Sequence, residues 1–306
     1  MGDNAANTIT LTDEGGKPNP ASALFTLPQL TVTADGETTV FPRGVAQRVV
    51  VLALGGDDSV TYHPVEIDGP QGVRSVSVNL GSGDDTAEFA ISRPLEIDGN
   101  VGLATVPLNV DLTGGPGDDV ATVDVGSVTE AALSFRANLG AGDDTLAAAF
   151  AGPMINHDLF IRLAALFVQG GQGNDGIDLE ANGTNAEGYR FEVVLQGGAG
   201  DDAITAGVNL TGDVQSAIRL RVYAGDGDDQ VTVDLTNQIL GTSVVPLTDA
   251  ILLDGGSGDD NITLTAITKR HPSRAMVRGG SGFDIGQVST PFKDIAIGVT
   301  ECETLF

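Results

Sequence analysis

Apolar residues recur two apart along most of this chain, in short runs broken by polar, glycine-rich interruptions. Ile218, Leu220 and Val222 alternate with Arg219 and Arg221, and helical spacing is nowhere sustained. Apolar positions two apart on both sides of an interruption predict a strand, a tight turn and a second strand, each with one inward face.

The interruptions form a series closed by Asp58, Asp85, Asp119, Asp144, Asp175, Asp202, Asp229, Asp260 and Asp284. Two positions before each aspartate stands a glycine: Gly56, Gly83, Gly117, Gly142, Gly173, Gly200, Gly227, Gly258 and Gly282. The flanks keep register with the turn. Nine positions before it lie Val49, Val76, Val110, Phe135, Leu166, Val193, Leu220, Ile251 and Ala275. Seven before lie Val51, Val78, Leu112, Ala137, Val168, Leu195, Val222, Leu253 and Val277. Two after lie Val60, Ala87, Ala121, Leu146, Ile177, Ile204, Val231 and Ile262, with Gly286 the exception.

Such a unit cannot bury its inner face alone, so the copies must stack. One turn every 24 to 34 residues is too long a period for a hairpin meander. It fits one coil of a parallel β-solenoid: two strands in fixed register, then a variable return. The expected fold is all-β, a right-handed parallel β-solenoid (β-helix) of about nine to ten coils, its Gly-x-Asp turns along one edge. An antiparallel sandwich or barrel, with turns every 8 to 12 residues or so, is the competing architecture. The returns are placed at residues 91–106, 208–217 and 237–248, where Pro, Gly and polar content marks loops or an irregular third side.

Three regions follow. Residues 1–48 hold a hairpin turning at Asp35-Gly36 and a degenerate leading copy at Asn7–Leu11, read as first coil and cap. Residues 49–290 form the repeats, and 291–306 a C-terminal strand or cap that could let chains associate end to end.

Composition narrows the partners. The 306 residues carry 42 acids against 15 bases, a net charge of -27. That field opposes nucleic acid and anionic membranes, so neither nucleic-acid binding nor membrane insertion is expected. Multivalent cations are the natural partners. Hydrophobic content of 41% is enough for a core and argues against general disorder. Cys302 stands alone, so no intramolecular disulfide exists, and a small buried apolar role is expected for it. The first residues lack the basic end and apolar run of a cleavable signal peptide, which points to another export route or a leader already removed.

The turn itself suggests a metal. Its full form is G-G-x-G-x-D-x-U-x, with U apolar, and seven copies carry a second acid before the closing one: Asp57, Asp84, Asp118, Asp143, Asp201, Asp228 and Asp259, with Asn174 at that place in another. Calcium takes six to eight oxygens, roughly, from carboxylates and backbone carbonyls together. Glycine-rich turns expose carbonyls, and the aspartates add charge. Carboxylates stacked at the strand spacing, about 5 Å, repel by roughly 3 kcal/mol per pair at an effective dielectric of 20. A cation between coils would remove that cost, coupling folding to binding. Up to about eight Ca2+ ions fit between the nine turns. The candidate ligands are these acids and Asn174, the nine glycines above, and Gly81, Gly115, Gly140, Gly171, Gly198, Gly225, Gly256 and Gly280. The closing aspartate is the expected direct ligand; the preceding acid is left to bind monodentately, bind through water, or face solvent. Without metal, a Gly-Asp pair is an ordinary turn former.

GGAGDDAIT, GGSGDDNIT and GGQGNDGID resemble the hemolysin-type calcium-binding repeat of the RTX family position by position. The resemblance implies a secreted, calcium-loaded β-solenoid. The chain departs from the family's tandem nonapeptides in having a single turn per long coil. The outer copies also depart: Leu54 stands where a second glycine belongs, Phe283 where a second acid belongs.

The expected function is therefore that of an extracellular or cell-surface bacterial structural protein: an adhesin shaft, a surface-layer or matrix component, or a filament subunit. A polysaccharide or cell-surface partner is possible for such a protein. The alternative is a β-helix polysaccharide lyase or epimerase, or its accessory module. Such an enzyme needs a base beside a metal-bound uronate. His63, His157 and His271 share no repeat position, and Arg219, Arg221 and Tyr223 read as an outer strand face, so no enzymatic activity is expected. An ice-binding surface needs a regular outward ladder. Thr61, Thr122, Thr205, Thr232 and Thr263 supply only five of nine positions.

Overall fold

The computed structural model describes residues 5–14, 29–42, 48–64, 75–91, 108–126, 128–129, 132–155, 162–187, 189–212, 217–239, 250–268, 273–289, 295–302 and 304–305. Among them there is no helix. The strands that precede the turns form one ten-stranded sheet, here the leading sheet, from Arg48–Leu52 to Ile295–Thr300. The strands that follow the turns belong to a 14-stranded sheet, the trailing sheet, whose parallel stack runs from Thr8–Glu14 and Ser59–Pro64 to Ile285–Ser289 and Thr304–Leu305. Neighbours within each stack are parallel, and from Glu37–Pro42 onward consecutive strands of the chain alternate between sheets, Val128–Thr129 aside. This is a parallel β-solenoid, and the sandwich alternative is excluded.

Register follows the spacing read from the turns. Val51, Val78, Leu112, Ala137, Val168, Leu195, Val222, Leu253 and Val277 form one unbroken ladder across the leading sheet. Val60, Ala87, Ala121, Leu146, Ile177, Ile204, Val231 and Ile262 form the facing ladder in the trailing sheet. Both are buried in one core that also takes the residues at minus nine, Val49 only partly. Period-two alternation makes this possible, because each strand turns one face inward and every coil repeats it. Edge-to-face ring pairs join neighbouring coils of the core, Phe89 with Phe135 at 5.2 Å and Phe150 with Phe191 at 5.4 Å.

Three readings need adjustment. Residues 208–212 and 237–239 are not return segments, because the strands Ala203–Gly212 and Gln230–Ile239 run on through them. Apolar Val208 and Leu210 keep the inward alternation, which extends the trailing sheet away from the turn. The final strand is two: Ile295–Thr300 in the leading sheet and Thr304–Leu305 in the trailing sheet. Residues 92–106, 213–216 and 240–248 of the proposed returns lie outside the described residues. At the other end Thr8–Glu14 stacks in parallel on Ser59–Pro64, and the hairpin Gln29–Ala34 and Glu37–Pro42 adds antiparallel to its free edge. That covers the opening strand of the stack, an edge that would otherwise offer unpaired backbone.

Candidate metal centre

The turns lie in one column along the edge joining the two sheets. Their second and fourth positions need glycine for two separate reasons. Gly198 and Gly200 have φ of +135° and +128°, in the region that L side chains avoid, and a methyl group on either would lie within 3.0 Å of the carbonyl oxygen of Gly171 or Gly173 one coil below. Leu54 marks the limit of this rule. It takes φ +85° at the second position of the first full turn, with its side chain 53% exposed.

Two carboxylate ladders run along the column in opposite directions. In the inner ladder the backbone N–H of each closing aspartate donates to Oδ1 of the closing aspartate one coil later. Asp58 donates to Asp85 at 2.6 Å, Asp119 to Asp144 at 2.7 Å, Asp202 to Asp229 at 2.8 Å, and Asp260 to Asp284 at 3.0 Å. In the outer ladder the N–H points the other way. Asp118 donates to Asp84 at 3.0 Å, Asn174 to Asp143 at 2.8 Å, Asp201 to Asn174 Oδ1 at 2.7 Å, and Phe283 to Asp259 at 2.7 Å. Phe283 brings no acceptor of its own to this ladder. The outer acids are exposed, whereas all nine closing aspartates are buried.

The second oxygen of the closing aspartates distinguishes this edge from a stack of ordinary turns. In Asp58, Asp85, Asp119, Asp144, Asp175, Asp202, Asp229 and Asp260, Oδ2 is buried with no hydrogen-bond partner. Its surroundings are visible at the first glycine of the motif. A methyl on Gly114, Gly170, Gly197 or Gly255 would come within 3.0 Å of Oδ2 of its own closing aspartate, and also of a carbonyl oxygen of the next coil. Those carbonyls belong to Leu139, Gly197, Ala224 and Gly279. Two acceptors thus converge on one cradle with no donor between them. Left so, each buried acceptor costs about 1–3 kcal/mol, more when charged. A proton, a cation or a bridging water would relieve that arrangement.

Titration reflects the same strain. Burial first, and neighbouring carboxylates after it, push Asp119, Asp175 and Asp229 up to about 7, and Asp202 and Asp260 to about 6, against the lowering effect of the accepted N–H. For Asp202 the like charge is Asp201, in its own turn. Asp85 and Asp144 are raised for the same leading reason.

The residues fit a hard cation. All the donors at the cradle are oxygens, from a carboxylate and a peptide carbonyl, the set that suits calcium rather than zinc or copper. No three His, Cys, Asp or Glu side chains converge on one point among the described residues, so backbone carbonyls would have to complete the coordination. Every acid and glycine named from the sequence falls in this column. One feature of it was missed: the first glycine was left out of the candidate ligands although its carbonyl faces the preceding coil. The degenerate leading copy read at Asn7–Leu11 puts Asn7 at the closing position below Asp58. The register of Thr8 with Ser59 places it there, and the apolar alternation after Asn7 was the available signal. Of the residues weighed for catalysis, His63 lies on the trailing sheet and Arg219, Arg221 and Tyr223 on the leading sheet, with a sheet's thickness of core between. His157 and His271 lie outside the described residues.

No protein-family model, curated protein or solved structure matches this chain.

Proposed function

We propose that the turn edge holds a row of calcium ions and that the protein is an extracellular structural element, stiffened by them, of the adhesin-shaft, surface-layer or filament kind. The observation that carries this reading is the cradle: a buried, unpartnered Asp Oδ2 facing a peptide carbonyl of the next coil, present at the Asp119, Asp175, Asp202 and Asp260 turns, whose first position is glycine. The sequence resemblance to RTX repeats supports it independently. Calcium would be bound by the closing aspartates and turn carbonyls, and supplies positive charge where only acceptors meet. Up to about eight ions fit between nine turns. Sites of this kind in extracellular modules saturate at about 10⁻⁴–10⁻³ M calcium, which favours folding outside the cell.

Circular dichroism at pH 7.5 tests it. With millimolar calcium the β signal and its thermal transition should be present. Excess EGTA should lower the transition or abolish the fold, and titration should return several ions per chain. An identical melting curve in EGTA would overturn the reading.

A further inference from the structure

The two broad faces of the solenoid carry opposite charge. No strand of the trailing sheet contains a lysine or arginine. The described outward acids of its parallel stack are Glu88, Asp124, Asp178, Glu180 and Asp234, all exposed. The leading sheet carries Arg48, Arg136, Arg190, Arg219, Arg221, Arg274 and Arg278 among its described residues; Asp226 ends its strand in the turn column, and the face itself holds the acids Asp111, Glu192 and Asp254. Those three acids are committed within the face, to Arg136 at 3.9 Å, Arg221 at 3.7 Å and Arg278 at 3.6 Å. The net is four positive charges facing one way and five negative facing the other, on a chain whose total charge is strongly negative.

The charges also share a period. Register puts Asp124, Ala149, Glu180, Gly207 and Asp234 in one row of the trailing sheet, so an acid stands on every second strand. In the leading sheet Arg219, Ala250 and Arg274 form a row, and Arg221, Leu252 and Met276 lie beside it, so the row's arginines are likewise two strands apart. The spacing is about 9.6 Å in both, twice the strand separation. Apolar side chains lie among the arginines: Val50 and Met276 exposed, Phe167, Val194 and Leu252 half-buried. Opposite them the trailing sheet is low, with Ala147, Ala149 and Gly207 in its centre. An apolar, arginine-bearing face suits a protein surface better than a polyanionic sugar, which would leave the apolar row uncovered.

We propose that the leading sheet of one molecule docks on the trailing sheet of a second copy, stacking solenoids face on face. The contact is heterologous, so it leaves one free face of each kind and grows rather than closing. Ten strands at about 4.8 Å by a strand's length of about 17 Å gives roughly 700–800 Å² per partner, the size of a specific interface. Stacking brings acidic turn edges together, so it rests on the calcium-loaded edge proposed above.

Sedimentation velocity in 2 mM calcium and low salt tests it, with two charge-reversal variants at outward positions. R219E/R274E alters the leading face and E180R/D234R the trailing face, and none of the four sits in the turn column. Wild type should sediment as concentration-dependent species larger than monomer, reverting to monomer in about 0.5 M salt, where the Debye length falls below 5 Å. Each variant alone should remain monomeric. An equimolar mixture should assemble again, because the two intact faces pair with each other and the two reversed faces are complementary as well. Monomeric wild type would overturn stacking, as would a mixture that stays monomeric or a trailing-face variant that assembles normally. Wild-type monomer whose leading face instead binds polygalacturonate would also overturn it, in favour of a sugar partner. Melting curves of the same samples with and without EGTA read the calcium edge separately, so failure of one reading is not mistaken for failure of the other.

Discussion

Asn7 and Asp58 meet at the start of the turn column: both the backbone N–H and the side-chain Nδ2 of Asn7 donate to Oδ1 of Asp58, at 2.6 Å and 3.0 Å. Asn7 Nδ2 also donates to the Ala5 carbonyl. At the later coils the same Oδ1 receives a backbone N–H from the coil below. The row of carboxylates therefore begins with an amide, which brings a donor where a further aspartate would bring charge.

Replacing that donor tests the capping role. N7L should cost about 1.5–3 kcal/mol, since a hydrogen bond to a buried charged group is lost. N7D loses the same donor and adds one more carboxylate at strand spacing, so in chelator it should cost at least as much as N7L. With calcium present the N7D penalty should shrink. Urea unfolding of both variants, with and without EGTA, measures this, and an N7D cost indifferent to EGTA would remove the cap from the account.

The two acids of each turn should respond differently to neutralisation. Asn174 already holds a place in the outer ladder, accepting the Asp201 N–H and donating its own to Asp143. D201N should therefore leave stability within about 0.5 kcal/mol, as surface changes usually do. D202N retains an oxygen for the Asp175 N–H but loses the buried charge. In EGTA it should raise the melting temperature, and in saturating calcium it should lower it and remove about one ion from the titration. Equal effects of D201N and D202N would contradict the separation into inner and outer ladders.

Much of this architecture was legible because two periodicities were locked together. The alternation fixed the faces of Leu195, Val222 and Leu253, and the Gly-x-Asp spacing fixed which of them are neighbours. The extent of the trailing strands was less legible. Asn237 reads as a loop residue in isolation, yet it continues a ladder against Leu210 and Thr268, because pairing to neighbours outweighs local propensity. The cradle was half legible. Asp202 was named a ligand from its charge, but the convergence of its Oδ2 with the Ala224 carbonyl depends on the vertical offset of stacked coils, which no single-chain pattern encodes. The charge difference between faces was readable in principle, since alternation assigns each arginine to a face once the sheets are told apart.

Glycines at the first and second positions of one turn should fail in different ways. G198A places a methyl against the Gly171 carbonyl at a backbone φ of +135°, so no relaxation of a side chain relieves it. A loss of about 2–4 kcal/mol is expected in calcium and in EGTA alike. G197A fills the cradle between Asp202 Oδ2 and the Ala224 carbonyl, while Ala224 shows that a buried alanine is accommodated at the equivalent place one coil later. Its cost should therefore appear mainly in calcium affinity at that turn, read by titration against a chromophoric chelator. Loss of fold in G197A with retained calcium binding in G198A would reverse the assignment.

The raised inner aspartates set the sign of the pH response. Asp119, Asp175 and Asp229 titrate near 7 in the folded chain because burial penalises their charged form, against about 3.9 when unfolded. The folded state thus binds more protons than the unfolded state between those values, and stability falls as pH rises. In EGTA this contribution should be complete below about pH 4 and lost as pH passes 7. A protonated Oδ2 can donate to the carbonyl it faces, which gives the effect a structural route. Calcium reverses the slope, since it needs the same carboxylates ionised and must displace their protons. Melting temperature in EGTA should therefore fall from pH 5 to pH 8, and the increment added by calcium should grow over the same range. Calorimetry at pH 6.5 in two buffers of different ionisation enthalpy should detect proton release on calcium addition. A chelated protein that becomes more stable from pH 5 to 8 would show that these aspartates are not held in the buried, partnerless setting described.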